Sequence, residues 1–148
     1  MKIIFTHGND TVSRSIQLAT SCKYQHAGAV FGDHVIEARF KGVVKSTLEE
    51  FKSRGDFEIF DYPLADEGAG LSFALDQVGK DYDFIGLSSF PLRVKWQDPT
   101  KWYCTELIAA IAKEGGNPIA HESLQGVSPR DLLVTLKYIS MGVNNDRG

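Results

Sequence analysis

The sequence predicts an α+β fold, a small antiparallel sheet with helices packed on it. Two short β-like runs meet at a glycine turn in Y-Q-H-A-G-A-V-F-G-D-H-V-I-E-A-R-F (24–40), which reads as a hairpin turning at Gly32-Asp33. Separate stretches carry apolar residues at helical spacing, most clearly W-Y-C-T-E-L-I-A-A-I-A-K-E-G-G (102–116). With 148 residues, 43% of them hydrophobic, the chain has enough apolar material for a single core, so residues 1–148 are read as one domain.

Taken in order, Lys2 to Thr6 reads as a short buried strand ended by the turn His7-Gly8-Asn9-Asp10. Asp10 or Thr11 then caps a helix in which Val12, Ile16 and Ala19 recur, up to Thr20-Ser21. After the hairpin, Ser46 to Phe51 is expected as a short helix, with Ser46 as cap and Glu49 three residues on. Asp56 to Tyr62 alternates polar and apolar residues and predicts a strand with one wet face. Asp66 to Gly79 predicts a helix carrying Leu71, Ala74, Leu75 and Val78. Trp96 to Thr100 reads as a loop. Beyond it, Leu107, Ile108, Ile111 and Ala112 mark the apolar face of a helix stopped by Gly115-Gly116. Ser128-Pro129 opens a helical turn, Val134 to Ile139 is expected as a closing strand, and Asn144 to Gly148 as a frayed tail.

Composition excludes several classes of function. A formal charge of −3 without a basic run argues against nucleic-acid binding. The opening M-K-I-I-F-T is too short for a signal peptide or a membrane span. A cytoplasmic location is therefore expected, with action outside the cytoplasm needing another export route or lysis. Cys22 and Cys104 are read as free thiols in a reducing compartment. No C-x-x-C or H-E-x-x-H spacing occurs, so a zinc site has little support. His34 and His121 are read as exposed, and His7 lies in a turn that a cleft at the strand ends would adjoin.

Three residues carry candidate chemistry. Cys104 falls at the start of a helix, where unpaired N–H groups and the helix dipole favour a thiolate. His26 lies on an inner strand among Ala27, Gly28, Ala29 and Val30, small residues that let another element pack closely. Glu37 stands a similar distance from the hairpin turn on the neighbouring strand, within reach of His26. Singly, each reads as well as a structural residue: a small buried cysteine, a hydrogen-bonded core histidine, a glutamate paired with Arg39 or Lys41. Together they supply what cysteine hydrolysis requires, namely an ionisable thiol, an imidazole to hold its proton and a group to orient the imidazole.

The segment Y-Q-H-A-G-A-V-F-G-D-H-V-I-E-A, the Gly42-Val43 pair and the later W-Y-C-T-E-L-I resemble the circularly permuted branch of the NlpC-type papain-like cysteine hydrolases. In that branch the histidine strand precedes the cysteine helix. Y-D-F-I-G-L (82–87) and S-P-R-D-L-L (128–133) are also similar, so the resemblance runs from about Ile3 to about Leu133. It implies a circularly permuted papain-like fold, with Cys104 as nucleophile, His26 as general base and acid, and Glu37 as the orienting residue. The family varies this last position among polar types, and Ala27 stands where it commonly has larger aliphatics. Tyr24, two before His26, is a candidate cleft or oxyanion contact, as is Tyr103; Glu106 is assigned to stabilising the helix start.

The implied reaction is acyl transfer from a small peptide, such as a cell-wall fragment, through a thioester, and it needs no metal or organic cofactor. Two rival readings stand beside it. One is a lipid acyl hydrolase or acyltransferase whose cleft is lined by Phe84, Ile85, Leu87, Phe90 and Leu92; the other is a non-catalytic binding module on the same fold.

Overall fold

A computed structural model describes residues 1–7, 24, 26–83, 101–119 and 129–145; the side chains of 7 and 142–145 are outside that description. The expected helix at 10–21, Cys22, the 84–92 apolar run, the 96–100 loop and His121 all lie outside the described residues.

Five strands, β1 (Lys2–His7), β2 (His26–Phe31), β3 (His34–Arg39), β4 (Gly42–Thr47) and β5 (Asp56–Asp61), form one sheet in the order β4-β3-β2-β1-β5, every pair antiparallel. β2 and β3 turn at Gly32-Asp33, as expected, and Gly32 takes the positive φ (57°) that the tight loop requires. β1 is buried on both faces. Ile3 and Phe5 join the larger core, while Ile4 joins a smaller cluster with Val30, Val35 and Phe51 on the other side. That explains why its sequence is a continuous apolar run rather than an alternation.

The larger core is closed by α3 (Cys104–Glu114), packed on β2 and β3, by α2 (Glu67–Asp76) against α3, and by α4 (Pro129–Asn145) against β5. Among the described residues, the smaller cluster is closed by α1 (Leu48–Lys52). A two-residue parallel pair, β6 (Asp81–Tyr82) with β7 (Lys101–Trp102), leads the chain into α3. The α+β class and the antiparallel sheet are as expected.

Several local expectations are corrected. Thr47, not Ser46, caps α1: its hydroxyl accepts from the Glu50 N–H and the Glu50 carboxylate accepts from the Thr47 N–H. The sequence holds two overlapping capping frames, and the serine is committed elsewhere, as described below. On α2 the buried residues are Gly70 and Ala74, whereas Leu75 and Val78 are over 40% exposed. Small residues face α3 because the two helices approach closely: a Cβ at Gly70 would stand 2.7 Å from Leu64 Cδ1 and 3.5 Å from the Ile111 carbonyl oxygen. β5 does alternate, but its outward face carries Phe57 and Ile59, with Lys52 Nζ 5.2 Å from the Phe57 ring.

The strand expected at Val134–Ile139 is instead part of α4, which continues to Asn145 and takes in the start of the expected tail. V-T-L-K-Y-I alternates only locally. Leu132 and Leu136, four apart, are the fully buried pair, while Val134 and Tyr138 point to solvent, so the burial follows helical rather than strand spacing.

Candidate active site

The histidine arm is built by the β2–β3 hairpin. Its register sets Ala29 opposite Ile36 and Val30 opposite Val35, so Gly28 faces Glu37 and His26 lies diagonal to it on the same sheet face. At Gly28 a Cβ would run into Val35 Cγ1, stand 3.3 Å from Phe51 Cε2 and 3.4 Å from Glu37 Cβ. The missing side chain is what lets the glutamate and the phenylalanine close over this face. His26 Nε2 bonds Glu37 Oε2 at 2.6 Å, and its ring stacks on Phe51 at 5.6 Å between centroids, 21° between planes.

Glu37 is fully buried, so its charge must be paired. Arg54 Nη1 donates to both carboxylate oxygens, at 2.8 and 2.7 Å, and the Ser46 hydroxyl donates to Oε1. Arg54 Nη2 donates in turn to Ser46 Oγ at 3.3 Å, and the guanidinium lies 5.2 Å from the Phe51 ring centre. Burial pushes the Glu37 carboxyl up, but the bonds and charge of His26, with Arg54 and Ser46 behind them, outweigh it and hold it down at about 2.

The nucleophile arm is α3. Cys104 is its first helical residue, and Tyr103, the N-cap, provides no side-chain cap, so the first-turn N–H groups are not consumed by it. The thiol is free and buried. Its sulfur is in hydrogen-bond and charge contact with His26. Because Glu37 occupies Nε2, Nδ1 is the ring nitrogen left for the sulfur. Burial alone would lower the His26 pKa; Cys104 and Glu37 overcome that and raise it to about 9. The pairing favours the imidazolium form of His26.

Thus the structure brings together Cys104, His26 and Glu37. Tyr103 sits beside them, buried, while Tyr24 lies ahead of β2 and packs its ring 5.4 Å from that of Phe5 in the larger core. Tyr24 thus lies with the larger core, whereas His26 stacks on Phe51 of the smaller cluster. Glu106 is buried in the first turn of α3. His34 is exposed, as expected.

Sequence reasoning missed Arg54 and Ser46. Arg54 stands in S-R-G-D, which reads as a polar turn, and Ser46 reads as a helix cap. The available signal was indirect: a glutamate inside an otherwise apolar strand, V-I-E-A, needs a cation. Tyr82 was missed as well; burial first, then the charges of Cys104, Asp83 and Tyr103, raise its hydroxyl pKa, so it stays protonated beside the thiol. Among the described residues no group of three or more His, Cys, Asp or Glu is placed to hold a metal, and no helix is long and apolar enough to cross a membrane.

Comparison with known proteins agrees with this arrangement. No curated protein matches the chain in sequence. Among solved structures, the crystal structure of the metalloprotein yiiX from Escherichia coli O157:H7 is similar, with a TM-score of 0.60 and 22% identity, covering 93% of this chain and 79% of that one. At that identity the likeness speaks for the fold. Residues 2–123 match the family model of the permuted papain-like amidase enzymes, YaeF/YiiX, C92 family. This refines the NlpC-type resemblance to a neighbouring permuted branch: the chain belongs to the YaeF/YiiX permuted papain-like amidase family, and so to the cysteine-type amide hydrolases.

Proposed function

We propose that the protein hydrolyses an amide bond of a small peptide, with Cys104 as nucleophile, His26 as general base and acid, and Glu37 as the residue orienting the imidazole. One observation carries this reading: His26 is bonded to a buried carboxylate through one nitrogen while contacting, through the rest of its ring, a thiol on the first turn of a helix. The Cys104 sulfur attacks the carbonyl carbon; the S–C bond forms and the carbonyl electron pair moves to oxygen. First-turn N–H groups of α3 are the oxyanion donors, with Tyr103 as a further contact; Tyr24, held in the core, is the weaker candidate. As the tetrahedral species collapses, the C–N bond breaks and His26 gives its proton to the leaving amine. Water then attacks the thioester, His26 takes its proton, and the acid leaves with the thiol restored.

The test is the alkylation rate of each cysteine by iodoacetamide across pH, followed by peptide mapping, in wild type and His26→Ala. Cys104 is expected to react at slightly acid pH far faster than Cys22, and to lose that advantage when His26 is removed. Wild-type protein would then be offered peptide amides, simple esters and phospholipid esters, with turnover of the amides expected. A Cys104 that reacts like Cys22 regardless of His26 would leave a binding module on a papain-like fold. Turnover of the phospholipid alone would move the substrate to lipid acyl groups.

A further inference from the structure

Behind the Cys104–His26–Glu37 set stands a further group, a cation that the hydrolytic reaction does not itself require. Arg54 and His26 both bond the same oxygen, Glu37 Oε2, at 2.7 and 2.6 Å, so their cationic nitrogens lie within about 5 Å of each other. Arg54 is fixed from three directions: both oxygens of Glu37, the Ser46 hydroxyl, and the face of Phe51, whose ring also stacks on His26. Its place depends on α1, whose capping box and buried Phe51 anchor the turn that carries Arg54 back onto the sheet.

Among the described residues, the groups facing His26 are Glu37 from β3, Cys104 from α3 and the uncharged Phe51, with Arg54 from the turn after α1 behind the shared Glu37 oxygen. Along the line from Arg54 to His26 the Glu37 carboxylate stands between two nitrogens that share its oxygen Oε2. During acylation the sulfur becomes covalent and uncharged and His26 gives away its proton. Without Arg54 that step would strand a buried, unpaired Glu37 anion, which is costly. With Arg54 the anion remains paired after the proton has gone.

We propose that Arg54 is a positioning residue of this site: it holds Glu37 in register and lets His26 release its proton to the leaving group. The inference rests on the catalytic reading above. Its role is electrostatic as well as steric, since a second cation on the shared oxygen weakens the grip of Glu37 on the imidazolium.

The test is the titration of the His26 ring by NMR in the full chain, its signal assigned by its loss in His26→Ala. In Arg54→Gln the midpoint is expected to rise by about one pH unit, the scale of a charge removed from within about 4–6 Å. Arg54→Lys should give a smaller rise, because an ammonium keeps the charge but lacks the second nitrogen that bonds Ser46 while Nη1 holds Glu37. Millimolar guanidinium should move the Arg54→Gln midpoint back toward wild type, which a merely structural role would not produce. An unchanged midpoint in whichever of the two variants folds overturns the proposal, as does equal displacement in both without rescue. Failure of the underlying reading is separately visible: there, His26→Ala itself leaves Cys104 alkylation unaltered.

Discussion

Replacing Glu37 by glutamine tests the electrostatic anchor of the site without changing its volume. Each carboxylate oxygen accepts two bonds, Oε2 from His26 and Arg54, Oε1 from Arg54 and Ser46. An amide has only one acceptor oxygen, and its NH2 group would face two donors. Whichever way the amide turns, half of the bonds are lost and Arg54, a partly buried cation, loses the carboxylate it bonds directly, keeping only the more distant charge of Glu50. Breaking a buried ion pair from one side costs about 3–5 kcal/mol. For a domain of this size that corresponds to a melting temperature lower by roughly 6–20 °C. His26 would lose the charge that, together with Cys104, holds its proton, and alkylation of Cys104 at slightly acid pH should fall about tenfold or more, the equivalent of one pH unit. Scanning calorimetry and iodoacetamide kinetics on the same sample read both effects. A variant that melts with wild type and keeps its alkylation profile would refute the claim that Glu37 anchors the site.

Stability should also depend on pH with a defined window. His26 is raised from 6.5 to about 9, so its contribution is fully present below 6.5 and is lost as pH rises through about 9. Glu37 is lowered from 4.5 to about 2, so its contribution is present above 4.5 and is lost as pH falls through about 2. The thermal midpoint should therefore be highest between roughly pH 4.5 and 6.5, and Glu37→Met should flatten both limbs of the curve. Gly28→Ala places a methyl against Val35 and Phe51 and is expected to cost about 1–3 kcal/mol in a urea melt; it should also slow Cys104 alkylation, because Phe51 must withdraw from the His26 ring.

How much of this was legible beforehand varies by element and for physical reasons. The hairpin was readable because its turn needs Gly32 and its strands are apolar around it, and the cysteine helix because its apolar period and its double-glycine stop agree. Cys104, His26 and Glu37 were found through residue type, strand neighbours and family resemblance. The short run at 134–139 misled because a run of six residues fits either period, and only the burial of Leu132 and Leu136 decides. Arg54 was illegible for a different reason. A turn arginine reveals its partner only once the chain has folded back, and 17 residues separate it from Glu37.

The two arms of the site differ in how far the chain must reach to make them. His26, Glu37, Ser46 and Arg54 are joined by contacts spanning 8 to 17 residues, the range of a hairpin and its following turn. Cys104 meets His26 only across about 80 residues of intervening chain. Short loops close fast and long ones slowly. An assembly path that forms the acid–base half first and docks the thiol last keeps the sulfur unactivated while the chain is incomplete. Heightened reactivity of Cys104 would then appear only with the finished fold, and its rate of appearance would serve as a clock for the final docking step of folding.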